Sequence, residues 1–312
     1  MKQNGVLSKK ELNIKKVKRG DIIFYICLMA FPITQFILFY ICVNINSILL
    51  SFQKYDVLSS TKSWYFQNFT ETFKLMFNDP NLMGTARTSL VSFFLIFGIG
   101  TPLALAFSYY IYKKMPASGI FRVLLFMPSI ISAIVMVTIF NFFAERAIPE
   151  IVLTIFGGER IPGLIENIDT RFATIIFYNI WVGFGVNVLM YSNSMSAIEP
   201  EIFEAAHIDG AYGIREFWHI ALPGCYPVLT TFVVANCATI FTNQINLFSF
   251  FAGAAPEGVQ TYGYYLYRGI KLAKSQAEYP PLAAMGLILT AITLPIVLLT
   301  KYLLEKFGPR EE

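Results

Sequence analysis

Glu199–Pro227, EPEIFEAAHIDGAYGIREFWHIALPGCYP, is a polar island between two long apolar runs. Pro200, with Glu199, Glu201 and Glu204 in or beside the first turn, suits a helix start: proline's φ is already helical there, and carboxylates complement the positive end of the dipole. Asp209-Gly210 ends that helix. A second short helix is expected next, because Ile214, Phe217, Trp218 and Ala221 recur at the i, i+3, i+4, i+7 spacing of a single apolar stripe. Pro223 and Pro227 stop it. A loop this short has no core of its own. Its stripe must bury against lipid headgroups, as an interfacial helix does, or against another protein.

The surrounding chain has 312 residues, 55% of them hydrophobic and 14% charged, with a mean hydropathy of +0.56. That balance excludes an ordinary soluble domain and predicts an all-α integral membrane protein. The net charge of +4 sits largely in a basic arm, residues 1–21, next to an apolar run, so it reads as topology and not as nucleic-acid binding. Cys27, Cys42, Cys225 and Cys237 lie in or beside apolar runs without metal-ligand spacing, and imply no disulfide framework.

Six spans are expected, at about 22–50, 88–112, 121–143, 172–196, 226–250 and 281–303, forming one domain over 22–312. The first is too long for a cleaved leader and carries a mild kink at Pro32; the third kinks at Pro128. Gly98, Gly100, Pro102, Ala104 and Ala106 give the second a small-residue face for close packing. Residues 51–87 read as an outer segment with an amphipathic piece. An even number of spans puts both termini on one side, and the basic arm makes that side cytoplasmic. The outer loops still hold ten Lys or Arg, so the first span and Lys113-Lys114 carry the assignment.

No G-x-x-x-x-G-K-[ST] phosphate loop occurs, and no Gly-Lys dipeptide at all. The chain is therefore not an ATPase by that route, nor does it carry a zincin or nucleophile-elbow motif. His207 and His219, the only histidines, have no ligand cluster around them and read as ordinary polar residues. The spans lack the interior carboxylates of a proton-coupled carrier. Uncharged polar groups gather instead in the second half of the chain. Asn236, Thr239, Asn243 and Asn246 would share one helical face, with Asn187, Tyr178 and Trp181 nearby. Amides mixed with flat aromatic faces suit sugar hydroxyls and sugar C–H faces. The alternative for any one of them is a helix-to-helix hydrogen bond of about 0.6 kcal/mol.

In order, Glu204-Ala205-Ala206, Asp209-Gly210-Ala211, Phe217, Ile220, Leu222-Pro223 and Pro227 resemble the EAA loop of bacterial binding-protein-dependent importers, the type I ATP-binding cassette (ABC) uptake systems. The resemblance implies a six-helix permease fold whose loop, 199–224, is a coupling helix seated on a separate ATPase. It assigns that contact to Glu204, Ala205, Ala206, Asp209, Gly210, Phe217, Trp218, Leu222 and Pro223. It also implies no cofactor and no metal on this chain, ATP and Mg on an ATPase dimer, a second homologous permease, and an extracellular substrate-binding protein. The setting it implies is the bacterial cytoplasmic membrane. Gly253-Ala254-Ala255-Pro256, followed by Thr261, Tyr264, Tyr265, Leu266 and Tyr267, resembles an outer segment of carbohydrate permeases, which makes an oligosaccharide the expected cargo. A non-sugar cargo and an ion-coupled secondary carrier are the competing readings.

Overall fold

The computed structural model describes residues 19–57 and 61–309. Residues 1–18, which hold most of the basic arm, the turn at 58–60 and the last three residues lie outside the described residues. The chain divides at Leu50 into two units. The first is one helical run: α1 (Arg19–Gln35), a π-helical stretch (Phe36–Cys42) and α2 (Val43–Ser51). Pro32 lies inside α1, and the irregularity comes four residues later as the π-helix, where the hydrogen-bond register widens by one residue.

The second unit opens with an antiparallel hairpin absent from the sequence expectation, β1 (Gln53–Asp56) with β2 (Thr61–Trp64), Gln53 opposite Trp64. A two-stranded ribbon is marginal by itself. It is held by Asn68, whose buried side-chain amide donates to the Ser51 carbonyl (3.0 Å) and the Gln53 carbonyl (2.7 Å). Asn68 belongs to the amphipathic α3 (Gln67–Asn78), which buries Asn68, Thr72 and Met76 at i, i+4, i+8. Asp79 then caps α4 (Pro80–Tyr112), accepting from the Asn81 N–H, with Pro80 as the first helical residue.

After α4 come α5 (Ser118–Ile130), α6 (Ala133–Phe142), a π-turn (Phe143–Ala147) and α7 (Ile148–Phe156). The third apolar run is not a kinked rod: its two parts meet at 108°. Pro128 stays inside α5, and the break falls at Ile131 and Ser132, both extended. Next is α8 (Ile168–Ser196), followed by α9 (Pro200–Ile208), α10 (Ile214–Glu216), a π-turn (Phe217–Ala221), α11 (Leu222–Gly224) and α12 (Tyr226–Ala238). The fifth run also departs from expectation. α12 stops at Ala238, residues 239–246 are turns, and only α13 (Leu247–Phe251) resumes the helix. α14 (Tyr262–Leu272) and α15 (Tyr279–Phe307) complete the chain. Among the described residues four helical runs are long and apolar enough to cross a membrane, or up to six if each of two bent pairs is one span. The fold is that of an all-α integral membrane protein.

The centre of the second unit is α4 lying along α8. Gly100, Ala104 and Ser108 share one face of α4; Ala104 is fully buried, and the Ser108 hydroxyl donates to the Val188 carbonyl on α8 (3.0 Å). Gly98, Pro102 and Ala106 are exposed on another side, so the small-residue face is narrower than composition suggests. On another face of α8, Gly185 lets α5 approach so closely that a methyl group there would overlap the Leu125 carbonyl. Gly185→Ala is expected to cost about 1–3 kcal/mol, as overpacking does. Gly183→Ala, where the added carbon meets nothing within 4 Å, should stay within about 0.5 kcal/mol. Thermal unfolding of the two variants in the same detergent checks the difference.

Candidate functional site

The loop between α8 and α12 is seated on the Lys113 end of α4. Ala221 and Cys225, both fully buried, enter a core formed by Ala104, Leu105 and Ile111 of α4 with Phe184, Val188, Tyr191 and Met195 of α8. Phe203 of α9 is buried against the ring of Tyr112, 5.2 Å between centroids. The Tyr109 hydroxyl donates to the Gly213 carbonyl at 3.1 Å, and the Tyr109 ring meets Phe217 edge-on at 5.3 Å. Gly210 has φ +78°, the left-handed turn that lets the chain reverse after α9.

At the centre of these contacts is a carboxylate that sequence patterning overlooked. Glu216 is 1% exposed. Its two oxygens accept from the Lys113 ammonium at 2.7 and 2.9 Å, and Oε2 also meets His207 Nε2 at 2.9 Å. Burial by itself would raise the carboxyl's pKa; the hydrogen bonds and charges of Lys113 and His207 outweigh it and hold the carboxyl below its usual range. Two signals in the sequence pointed this way. A glutamate stands directly before the aromatic pair Phe217-Trp218, and Lys113 closes the second apolar run.

The expected single stripe of Ile214, Phe217, Trp218 and Ala221 is not what forms. The π-turn at Phe217–Ala221 inserts an extra residue into the helical repeat and splits the stripe. Phe217 and Ala221 go inward, while Ile214 (77% exposed) and Trp218 (59%) face out. Together with Ile202, Ile208 (87%) and Tyr212 they make an outward apolar surface around Glu204, Ala205, Asp209 and Gly210, which are exposed too. Ala206, Leu222 and Pro223 are half-buried. His207 turns back toward Glu216 and stacks on Tyr212 at 4.7 Å. Among the described residues no cluster of metal-ligating side chains occurs.

The polar residues proposed for a passage sit elsewhere, and not as one helical face, because the helix ends before Thr239. Asn236, Thr239 and Asn243 do come together, lining a cavity of about 20 Å³ with Ser89, Ser92 and Phe93 of α4. That is room for about one water molecule. Each of the three also serves the backbone: Asn236 donates to the Phe232 carbonyl, Thr239 donates to the Asn236 carbonyl, and Asn243 Oδ1 accepts from the Ile245 N–H. Asn246 lies apart from that cavity. Its amide donates to Asn179 Oδ1 on α8 (2.8 Å), and Asn179 in turn donates to the Ile245 carbonyl (2.9 Å). These bonds hold Ile245 and Asn246 at φ +45° and +59°, a conformation that costs a β-branched residue free energy. From the other side, the Thr261 hydroxyl donates to the Asn243 carbonyl, and Gly263 comes so close that any side chain would overlap the Thr242 carbonyl.

Tyr178 is a core residue, contrary to the expectation that it lines a passage. It is fully buried among Met136, Val137, Phe140, Ala144 and Ile165, and Trp181 packs half-buried against the same cluster. Asn187 is half-buried on α8.

Residues 96–311 match the family described as binding-protein-dependent transport system inner membrane component. The chain belongs to that family. Among curated members, the polygalacturonan/rhamnogalacturonan transport system permease protein YteP of Bacillus subtilis is 24% identical over 306 residues, covering 96% of this chain and 92% of the relative. The sn-glycerol-3-phosphate transport system permease protein UgpA of Pectobacterium atrosepticum is 24% identical over 231 residues, 71% of this chain and 77% of the relative. A crystal structure of a bacterial ABC transporter involved in the import of the acidic polysaccharide alginate contains a chain with the same fold. It superposes with a TM-score of 0.75 at 19% identity, covering 93% of this chain and 97% of that one. Permease subunits of this family are membrane components and not enzymes themselves.

In this family member the turn at 239–246 depends on Asn179. Asn179→Leu removes two side-chain bonds to that turn and should destabilise it by about 1 kcal/mol. Amide hydrogen exchange at 243–247 should then quicken about fivefold relative to the native chain.

Proposed function

We propose that this chain is one of two related permease subunits in an ATP-driven importer that carries an oligosaccharide across the cytoplasmic membrane of a bacterium. The observation that carries the reading is the outward apolar surface of the α9–α10 loop, in a chain whose family is that of binding-protein-dependent permeases. Ile208, Tyr212, Ile214 and Trp218 stand free of the chain's own core, beside exposed Glu204 and Asp209. Small, acidic and aromatic groups of this kind suit a cleft in a partner protein better than a lipid surface, because Glu204 and Asp209 would sit among the headgroups.

On this reading the loop and both termini are cytoplasmic, and two copies of an ATPase bind below, holding the ATP and Mg. An extracellular binding protein delivers the sugar, and a second permease completes the passage. Closure of the ATPase pair pushes on the loop, and the bundle passes from one face open to the other open. Asn236, Thr239 and Asn243 are the groups this chain offers to sugar hydroxyls. The cavity they line is smaller than any sugar ring, so passage requires α12 and α4 to part at Ser89 and Ser92. Sugar cargo rests on the relatives named for polysaccharide fragments, and on the uncharged chemistry of these groups.

With the chain tagged and extracted from its own membranes, an ATPase and a second permease should co-purify. Phe217 packs inward, so the change that tests the outer surface is Glu204→Lys with Trp218→Asp. That variant should keep the second permease and lose the ATPase. A native chain that emerges alone and still transports would overturn the reading in favour of an ion-coupled carrier. Uptake in proteoliposomes of neutral and uronate oligosaccharides against glycerol 3-phosphate then sorts the cargo.

A further inference from the structure

We infer that Glu216 is the positioning residue that fastens the coupling loop to α4, so that α9 and the end of α4 move as one body. This rests on the reading of the loop as the ATPase contact and goes one step past it. An outward surface can receive a push, but a push is transmitted only through a joint that does not yield.

The loop has few means of transmitting force. It is two short helices, α9 and the continuous run Ile214–Gly224 made of α10, the π segment and α11, joined by the turn after Ile208, and neither is long enough to be rigid alone. What joins them is Glu216. Its carboxylate, withdrawn from water, draws together three separate segments: Lys113 just past α4, His207 on α9, and its own position on α10. A buried carboxylate released from its cation would be left desolvated and uncompensated, which makes the joint a discrete contact that holds or breaks and does not slide. Neighbouring contacts run in the same direction. Lys113 Nζ lies 5.9 Å above the ring of Phe203, Phe203 rests on Tyr112, and Tyr109 holds the Gly213 carbonyl. Every one of these contacts ties the loop to the last turn of α4 or the residue after it. From that turn α4 runs to Ser89 and Ser92 at the cavity beside Asn243, so a displacement of α9 reaches the polar turn along one continuous helix.

The exposed and buried residues of the loop therefore divide into two tasks. Ile208, Ile214 and Trp218 meet the partner; Glu216, Lys113 and His207 carry its movement inward. A purely local role for Glu216, keeping the loop folded, makes a different forecast. It would cost assembly and leave the work done per ATP alone.

The experiment measures sugar imported per ATP hydrolysed by the full complex in proteoliposomes, with Glu216→Gln, Lys113→Met and Lys113→Arg compared with the native chain. Glu216→Gln and Lys113→Met are expected to co-purify with the ATPase, yet to import at least tenfold less sugar per ATP; Lys113→Arg should restore most of the ratio. An unchanged ratio in assembled Glu216→Gln overturns the inference while leaving the proposed function standing, whereas a native chain without an ATPase removes that function itself. Should Glu216→Gln fail to assemble, Lys113→Cys with Glu216→Cys joined by a short bifunctional thiol reagent decides the matter. The cross-linked complex should regain its import per ATP, and abolition of import on cross-linking would show that the joint has to open, contrary to the inference.

Discussion

The close approach of α4 and α8 is the constraint from which the second unit is built. In hydrocarbon, helices gain nothing by hiding apolar side chains from one another, so they associate where small residues let backbones meet and polar groups find partners. Ala104, fully buried, supplies the first condition and Ser108, donating to the Val188 carbonyl, the second. Gly185 then admits α5 against α8 as well. The loop depends on this pair as well, since Ala221 and Cys225 bury themselves in the core that α4 and α8 form at the Lys113 end. Without that core the short helices α9 to α11 have nothing to fold against.

The polar turn shows the same economy from the opposite direction. A chain that leaves the helix inside a membrane must find partners for its freed backbone groups within the protein. Residues 239–246 do so with side-chain amides: Asn179 takes the Ile245 carbonyl, Asn243 takes the Ile245 N–H, and Thr261 takes the Asn243 carbonyl. Holding Ile245 and Asn246 in left-handed geometry has a free-energy cost that those bonds offset. Irregular backbone at such a position is tolerated where it lines a cavity, and this turn borders the one shared with α4.

Much of the fold was legible because apolar runs of span length and the caps between them are one-dimensional signals. Pro200 and Gly210 bound α9 as expected, and α3 is amphipathic as its pattern implied. What periodicity could not reveal were the places where the helical repeat changes. The stripe at Ile214, Phe217, Trp218 and Ala221 assumed 3.6 residues per turn, and a π-turn divides it. The face shared by Asn236, Thr239, Asn243 and Asn246 assumed a helix that ends at Ala238. The second error is local in sequence, yet the groups that hold the turn are distant: Asn179, Thr261 and Gly263, none of them near Thr239 in the chain. Tyr178 was misread for a related reason, since an aromatic among polar residues on a helix wheel says nothing of the hydrophobic cluster facing it.

The loop divides into an outer and an inner set on either side of one short helical run. Trp218 faces outward, Phe217 packs against Tyr109 and Glu216 faces the end of α4. Buried there, the carboxylate is met by His207 on α9 and by Lys113 beyond α4, and its desolvation favours keeping the two together. One short helical run, Ile214–Gly224, thus carries both an exposed apolar edge and a buried ionic joint.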